Sequence, residues 1–189
     1  MRWRTVDIVV TAALGVAFGV VFTGWNLVFN AVAAGTFAPP LYLLSGVWLI
    51  PAVLAPLIIR LPGSALLAET MAAIVSLLLG SPYGLDTIFS GLVQGAGAEL
   101  VFALALYRRW TLPMSVLAGC GAAVGMWFHD MTVYFAGVAL PIQLAYGAFM
   151  LLSGALVAGV GSWYLVRLLR PTGVLAAFPS GRDVAEPAV

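Results

Sequence analysis

Glu69, Glu99, His129 and Asp130 are ionisable side chains set inside apolar runs of this 189-residue chain. Within a bilayer each costs at least about 2.5–3.5 kcal/mol on insertion scales, so such groups normally face the protein interior and mark a function. Asn26, Asn30, Gln94 and Gln143 add amide donors and acceptors to the same runs. Two chemistries suit this set. Carboxylates and amides can grip a polar or cationic solute through charge-assisted hydrogen bonds, or the carboxylates can titrate in ion-coupled transport. Catalysis fits poorly. Adjacent positions on a helix point His129 and Asp130 about 100° apart, which suits neither a base nor its orienter. With one histidine and one cysteine, Cys120, a metal site lacks ligands. The expectation is a chain that is not an enzyme and holds no cofactor or metal.

The elements that carry these residues are membrane helices. Only 8% of the chain is charged and 63% is hydrophobic, whereas a water-exposed surface needs roughly 25% charged residues. Crossing a hydrocarbon core of about 30 Å takes roughly 20 apolar residues. Six runs qualify: Val6 to Ala33, Leu41 to Ile59, Ser64 to Leu79, Thr87 to Tyr107, Leu112 to Phe135 and Ile142 to Leu168. The third is short and carries Glu69. Pro39-Pro40, Pro62-Gly63, Gly80 to Gly84, Arg108-Arg109 with Pro113, and Gly137 with Pro141 separate them. Ala31-Val32-Ala33 imitates a signal-peptidase site, but the first apolar stretch exceeds a 7–15-residue signal core and is expected to be retained.

All eight basic residues are Arg. With six spans, Arg2, Arg4, Arg60, Arg108, Arg109, Arg167, Arg170 and Arg182 fall on one side, which the positive-inside rule makes cytoplasmic. An odd number of spans scatters them, so the charge pattern supports the third helix. The reading is an all-α, multi-pass protein of the bacterial cytoplasmic (inner) membrane. Residues 1–170 form a substrate-binding bundle, and 171–189 a short loose cytoplasmic tail. Without Lys, the Lys-bearing phosphate-binding loop of ATPases is impossible, so if the chain takes part in ATP-driven work another subunit must hydrolyse the ATP. Nothing here suits nucleic acid.

Depth along the helices, at about 1.5 Å per residue, gathers polar and aromatic groups in the outer half and middle of the bilayer. Asn26 and Asn30 share a face of the first helix, and Trp48 lies roughly 10 Å inward on the second. Glu69 is near mid-membrane, and Gln94 lies roughly 12 Å below the outer end of the fourth helix. Trp127, Asp130 and Tyr134 fall at i, i+3 and i+7 on the fifth; Gln143 and Tyr146 open the sixth. Glu99 is deeper. Aromatic walls with a few acceptors suit a planar, polar or cationic molecule. Trp3, Tyr107, Trp110 and Tyr164 are read as interfacial anchors; for Trp127 and Tyr134 anchor and pocket both stand. Ala13-x-x-x-Ala17 and Gly15-x-x-x-Gly19 on the first helix give two small-residue faces, for packing or for a membrane partner.

The stretch Arg60 to Glu69 running on to Gly80-Ser-Pro-Tyr-Gly84 resembles the YkoE-type family, as does Gly91-Leu-Val-Gln94-Gly-Ala-Gly-Ala-Glu99-Leu-Val-Phe-Ala103. The likeness extends over nearly the whole chain, including Trp25-Asn26. These are S-components, the substrate-binding membrane subunits of energy-coupling-factor (ECF) ABC transporters, associated with thiamin or its hydroxymethylpyrimidine precursor. The resemblance implies a six-helix bundle that captures the vitamin and docks on a transmembrane coupling protein driven by two ABC ATPases. It also implies docking through a small-residue motif on the first helix, with Ala13 and Ala17 matching and Gly15 and Gly19 a second register. The expected substrate site draws on Trp25, Asn26, Asn30, Trp48, Glu69, Gln94, Glu99, Trp127, His129, Asp130, Tyr134, Gln143 and Tyr146. The competing reading is a stand-alone ion-coupled secondary transporter using Glu69 and Glu99.

Overall fold

The computed structural model describes residues 2–35 and 38–182. Among them every regular element is helical: α1 Thr5–Gly35, α2 Pro39–Ile59, α3 Ser64–Leu78, α4 Asp86–Leu104, α5 Leu112–Val133 and α6 Leu140–Thr172, with a single turn at Pro179–Arg182. All except α3 are long and apolar enough to cross a membrane. Helix α3 has 15 residues and rises only about 22 Å, short of the roughly 30 Å core.

Close backbone approach sets the order of the helices. Glycines 15 and 19 of α1 press on α3, where an added Cβ would stand 2.5 Å from Met71 Cβ or 2.4 Å from Val75 Cβ. Gly91 of α4 meets Ala73 of α3 in the same way, at 2.6 Å. Further round, Gly97 of α4 faces the Gly121 carbonyl of α5 at 2.2 Å, and Gly119 of α5 faces that of Gly154 on α6 at 2.1 Å. Lipid offers no hydrophobic drive between helices, so small residues that let backbones pack closely hold such a bundle together. Helix α2 fills the middle, with Leu49, Ala52 and Val53 fully buried.

Two helices depart from α geometry where they meet. Helix α2 begins as a 3-10 helix over Pro39–Leu49 before becoming α at Ile50–Ile59. A 3-10 run this long is uncommon. It is held from outside: Ser153 of α6 accepts from the Gly46 amide at 2.8 Å and donates to the Leu43 carbonyl at 2.5 Å. Helix α6 widens to a π-helix over Gly154–Val160, and Ser115 donates to its Gly159 carbonyl at 2.6 Å.

The outer surface is apolar. Val9, Val20, Leu27, Leu100, Leu104 and Leu152 are all exposed, a pattern that water disfavours and lipid accepts. Arginines gather at one end: Arg4 reaches the Ala177 carbonyl at 3.1 Å, and Arg60 lies over Trp110 at 5.8 Å. The loose tail expected from Pro171 is corrected as far as Arg182. Leu175 and Phe178 are buried in the core, because these apolar side chains cover the Arg-bearing end of α2 rather than hang in solvent. Asp183 to Val189 lie outside the described residues.

Candidate functional site

At the end of the bundle away from the arginines lies a cavity of about 210 Å³, many times the roughly 10–15 Å³ that one water needs. Helices α1 to α5 and the α3–α4 connection line it. Among its lining residues is an acidic side chain, Glu69 on α3, that is fully buried. Oε2 accepts from the Ala52 amide at 2.9 Å. That amide lies in α2 just past its change from 3-10 to α geometry. Oε1 is buried and has no hydrogen-bond partner among the described residues. A buried carboxyl oxygen left unmatched is costly, and the residue that carries it lines the cavity.

One wall is aromatic and amide. Trp48 Nε1 donates to Asn26 Oδ1 at 3.0 Å, and Asn26 Nδ2 reaches Ser76 Oγ at 3.4 Å. Phe29 packs edge-on to Trp48 at 4.9 Å and to Tyr42 at 5.6 Å. Opposite, Gln94 Nε2 donates to Ser90 Oγ at 2.6 Å. At the rim, Tyr83 donates to Asn30 Oδ1 at 3.3 Å; burial holds the Tyr83 phenol above its ordinary pKa, so it stays a donor.

The second acidic group is a cluster. His129 lies between two carboxylates, with Nδ1 3.0 Å from Asp130 Oδ1 and Nε2 2.9 Å from Asp86 Oδ1. Tyr134 donates to the other oxygen of Asp86. Glu69, Asp86 and Asp130 all line the cavity, and no Arg is among its described lining residues. A site with acidic groups and aromatic faces favours a cation. The expectation that His129 and Asp130 point apart is corrected here. Adjacent Cβ atoms do diverge, but the imidazole is long enough to swing back to Asp130 while its far nitrogen reaches Asp86.

Of the expected residues, Asn26, Asn30, Trp48, Glu69, Gln94, Asp130 and Tyr134 line this cavity. His129 stands behind the rim carboxylates. The others are placed elsewhere. Trp25 donates to the Leu44 carbonyl at 2.9 Å and ties α1 to the 3-10 turn. Trp127 donates to the Gln143 carbonyl at 2.9 Å, and Gln143 closes the α5–α6 connection by donating to the Phe135 and Val138 carbonyls. Tyr146 stacks on Phe135, centroids 4.4 Å apart.

Glu99 is the clearest departure. It accepts from the amides of Gly63 at 2.6 Å and Ala65 at 2.9 Å, and from Tyr107 at 2.6 Å. Those amides open α3, so Glu99 works as a cap supplied from α4 against the positive helix end. Charged hydrogen bonds of this kind are worth about 1.5–3 kcal/mol each. Glu99→Ala is therefore expected to lower thermal stability markedly while leaving ligand affinity within about twofold, on the same scale of energies. A large affinity loss in calorimetry, with stability intact, would contradict this.

Gly15 and Gly19 are corrected as partner-binding residues. They are buried against α3 with no room for a Cβ, whereas Ala13 and Ala17 are exposed on the opposite face of α1. Residues that sequence reasoning missed include Phe29, Tyr42, Tyr83, Asp86 and Ser90. Ser90 and Gln94 at i and i+4 carried a legible signal. Asp86 stands one residue before the apolar run of α4, and its reach toward His129 needed the fold.

Comparisons with known proteins agree with this architecture. A family model described as ABC-type cobalt transport system, permease component, matches residues 6–125. The Bacillus subtilis (strain 168) protein YkoE, described as an HMP/thiamine permease protein, is 36% identical over 187 residues, covering 96% of this chain and 92% of its own length. The crystal structure of an S-component of an ECF transporter superposes with a TM-score of 0.94 at 34% identity, covering 97% of this chain and 94% of that one. This chain therefore belongs to the YkoE-type S-components, multi-pass membrane proteins that serve energy-coupling-factor transporters as substrate-binding subunits rather than as enzymes.

Proposed function

We propose that this chain captures thiamin or its hydroxymethylpyrimidine precursor at the outer face of a bacterial cytoplasmic membrane, for import by an ECF transporter. The observation that carries the reading is Glu69, which lines an aromatic cavity and whose buried Oε1 has no partner among the described residues. Thiamin offers both a cationic ring and an aminopyrimidine. A charge-assisted hydrogen bond to Glu69 and the faces of Trp48, Tyr42 and Phe29 suit those groups. The name of the B. subtilis relative points to the same pair of ligands. Isothermal calorimetry on the purified chain without ATP tests this: saturable heat with either compound supports it, and neither heat nor a thermal shift with both sinks it.

The membrane arrangement belongs to this reading. Six spans, α3 included, put every Arg at one end, and positive charge prefers the cytoplasm. Both termini are then inside. Residues 1–170 form the binding domain, and the segment from 171 is a cytoplasmic extension packed as far as Arg182. In a Cys120→Ala background, Leu85→Cys is expected to react with an impermeant maleimide in intact cells, and Leu106→Cys only after permeabilisation. The reverse pattern would invert the topology.

Coupling is assigned to the exposed Ala13 and Ala17 face of α1, where small side chains admit a helix of a transmembrane coupling protein carrying two ABC ATPases. Ala17→Trp is expected to abolish vitamin uptake by the complete transporter while leaving calorimetric binding unchanged. Uptake at the normal rate would place the contact elsewhere.

A further inference from the structure

The vitamin cavity is lined by acidic groups of one sign. Glu69, Asp86 and Asp130 border it; Asp130 is buried, and the Asp86 side chain is 26% exposed. His129 bridges the two aspartates, but one imidazolium balances only one of two ionised carboxylates. The basic residues of the chain are all Arg, and none is among the described residues that line the cavity.

The backbone offers an anion no berth either. Helix N-termini ordinarily attract phosphate through free amides and the helix dipole, and α4 starts at the cavity wall with Asp86 and Thr87. Its first turn already carries the carboxyl of Asp86. The amides of Thr87 and Ile88 donate to the Gly84 and Leu85 carbonyls, both at 3.1 Å. Side-chain donors at the wall are turned to protein acceptors as well: Tyr83 donates to Asn30, Tyr134 to Asp86 and Gln94 to Ser90.

We propose that the cavity selects ligands free of phosphate, and that Asp86 and Asp130 set this specificity by repelling phosphate esters. The selectivity rests on the vitamin reading given above. Thiamin and hydroxymethylpyrimidine each have a hydroxyl that can carry a phosphate, which adds about 1.5–2 negative charges at neutral pH. Wherever in the cavity that hydroxyl lies, its phosphate has acidic neighbours and no arginine to pair with. Like charges brought together exclude a wrong ligand, whereas the cationic ring of thiamin is drawn by the same groups.

Calorimetry on the purified full chain compares thiamin with thiamin monophosphate. The monophosphate is expected to bind about 100-fold more weakly, the factor for like charges several ångströms apart in a partly screened pocket. Asp86→Asn and Asp130→Asn keep the size of each side chain and remove its charge. Either is expected to tighten monophosphate binding by about tenfold in absolute terms while thiamin binding weakens. A rim that is merely damaged gains no affinity, and exclusion by bulk alone is untouched by both variants. Thiamin heat reports that each variant is folded, and should one fail to fold the other decides. Should both fail, the parent chain decides, since repulsion narrows as salt is raised and steric exclusion does not. Monophosphate bound by the parent within about threefold of thiamin overturns the selectivity and leaves the vitamin reading intact. Monophosphate affinity unchanged or lowered in the folded variants removes Asp86 and Asp130 as its cause. No heat with thiamin or hydroxymethylpyrimidine overturns the vitamin reading itself, and the selectivity with it.

Discussion

Glu69→Gln is expected to weaken thiamin binding by about 10- to 100-fold, the factor that a charged hydrogen bond of about 1.5–3 kcal/mol implies. The substitution keeps the size of the side chain and an oxygen for the Ala52 amide, which Glu69 Oε2 now serves at 2.9 Å. What it removes is a carboxyl able to carry negative charge toward a bound cation. Thiamin carries a cationic ring and hydroxymethylpyrimidine does not, so the loss should be several-fold greater for thiamin. Calorimetry with both compounds reads the difference directly. An equal loss for both would mean that Glu69 acts as a shape or hydrogen-bond determinant and that the cation is met at Asp86 and Asp130. No loss for either would remove Glu69 from the site and with it the reason for placing a cationic vitamin there. A fall in ligand-free stability alone, with affinity retained, would make Glu69 a structural tie to the Ala52 amide of α2.

Gly97→Val is expected to have the largest effect on stability. A Cβ at position 97 would stand 2.2 Å from the Gly121 carbonyl oxygen and 2.8 Å from its carbon. Backbone cannot swing aside as a flexible side chain does, so α4 and α5 must part. Overpacking typically costs about 1–3 kcal/mol, occasionally more, and far exceeds the helix-propensity difference between Gly and Val. Gly24→Ala is the matched control. Nothing lies within 4 Å of the atom it adds, and alanine favours the helix by up to about 1 kcal/mol. Thermal denaturation in detergent should therefore move the two variants in opposite directions. The separation of α4 from α5 would also shift Gln94 and Asp130, which line the vitamin cavity from those helices, so Gly97→Val should lose affinity along with stability. A Gly97→Val protein that melts like the parent would show that the interface has slack and that the Gly97–Gly121 approach does not set the cavity.

The contrast between Glu69 and Glu99 shows where reading the sequence reaches its limit. Both are carboxylates in apolar runs flanked by alanine and glycine, and both were expected to meet substrate. The fold separates them by what stands opposite. Glu99 meets the amide-rich start of α3 and is matched by hydrogen bonds. Glu69 meets one amide of α2, its other oxygen is buried without a partner among the described residues, and the residue lines the cavity. The same limit applies to Gln143, whose amide finds two loop carbonyls before it finds any cavity. A linear pattern specifies that a polar group must be sheltered from lipid, and several kinds of shelter satisfy that demand.

The amino-acid sequence alone determined the solvent, the helices and the inward placement of Asn26, Glu69 and Gln94, because hydrocarbon excludes unpaired backbone and charge whatever the neighbours are. Tertiary structure decided which sheltered groups share the cavity, that Ala13 and Ala17 rather than Gly15 and Gly19 remain on the outside of α1, and that Asp86 joins His129. Those outcomes depend on the depth and rotation of each helix against the next. Contacts between backbones at glycines far apart in the chain set that rotation, and local periodicity carries no record of it.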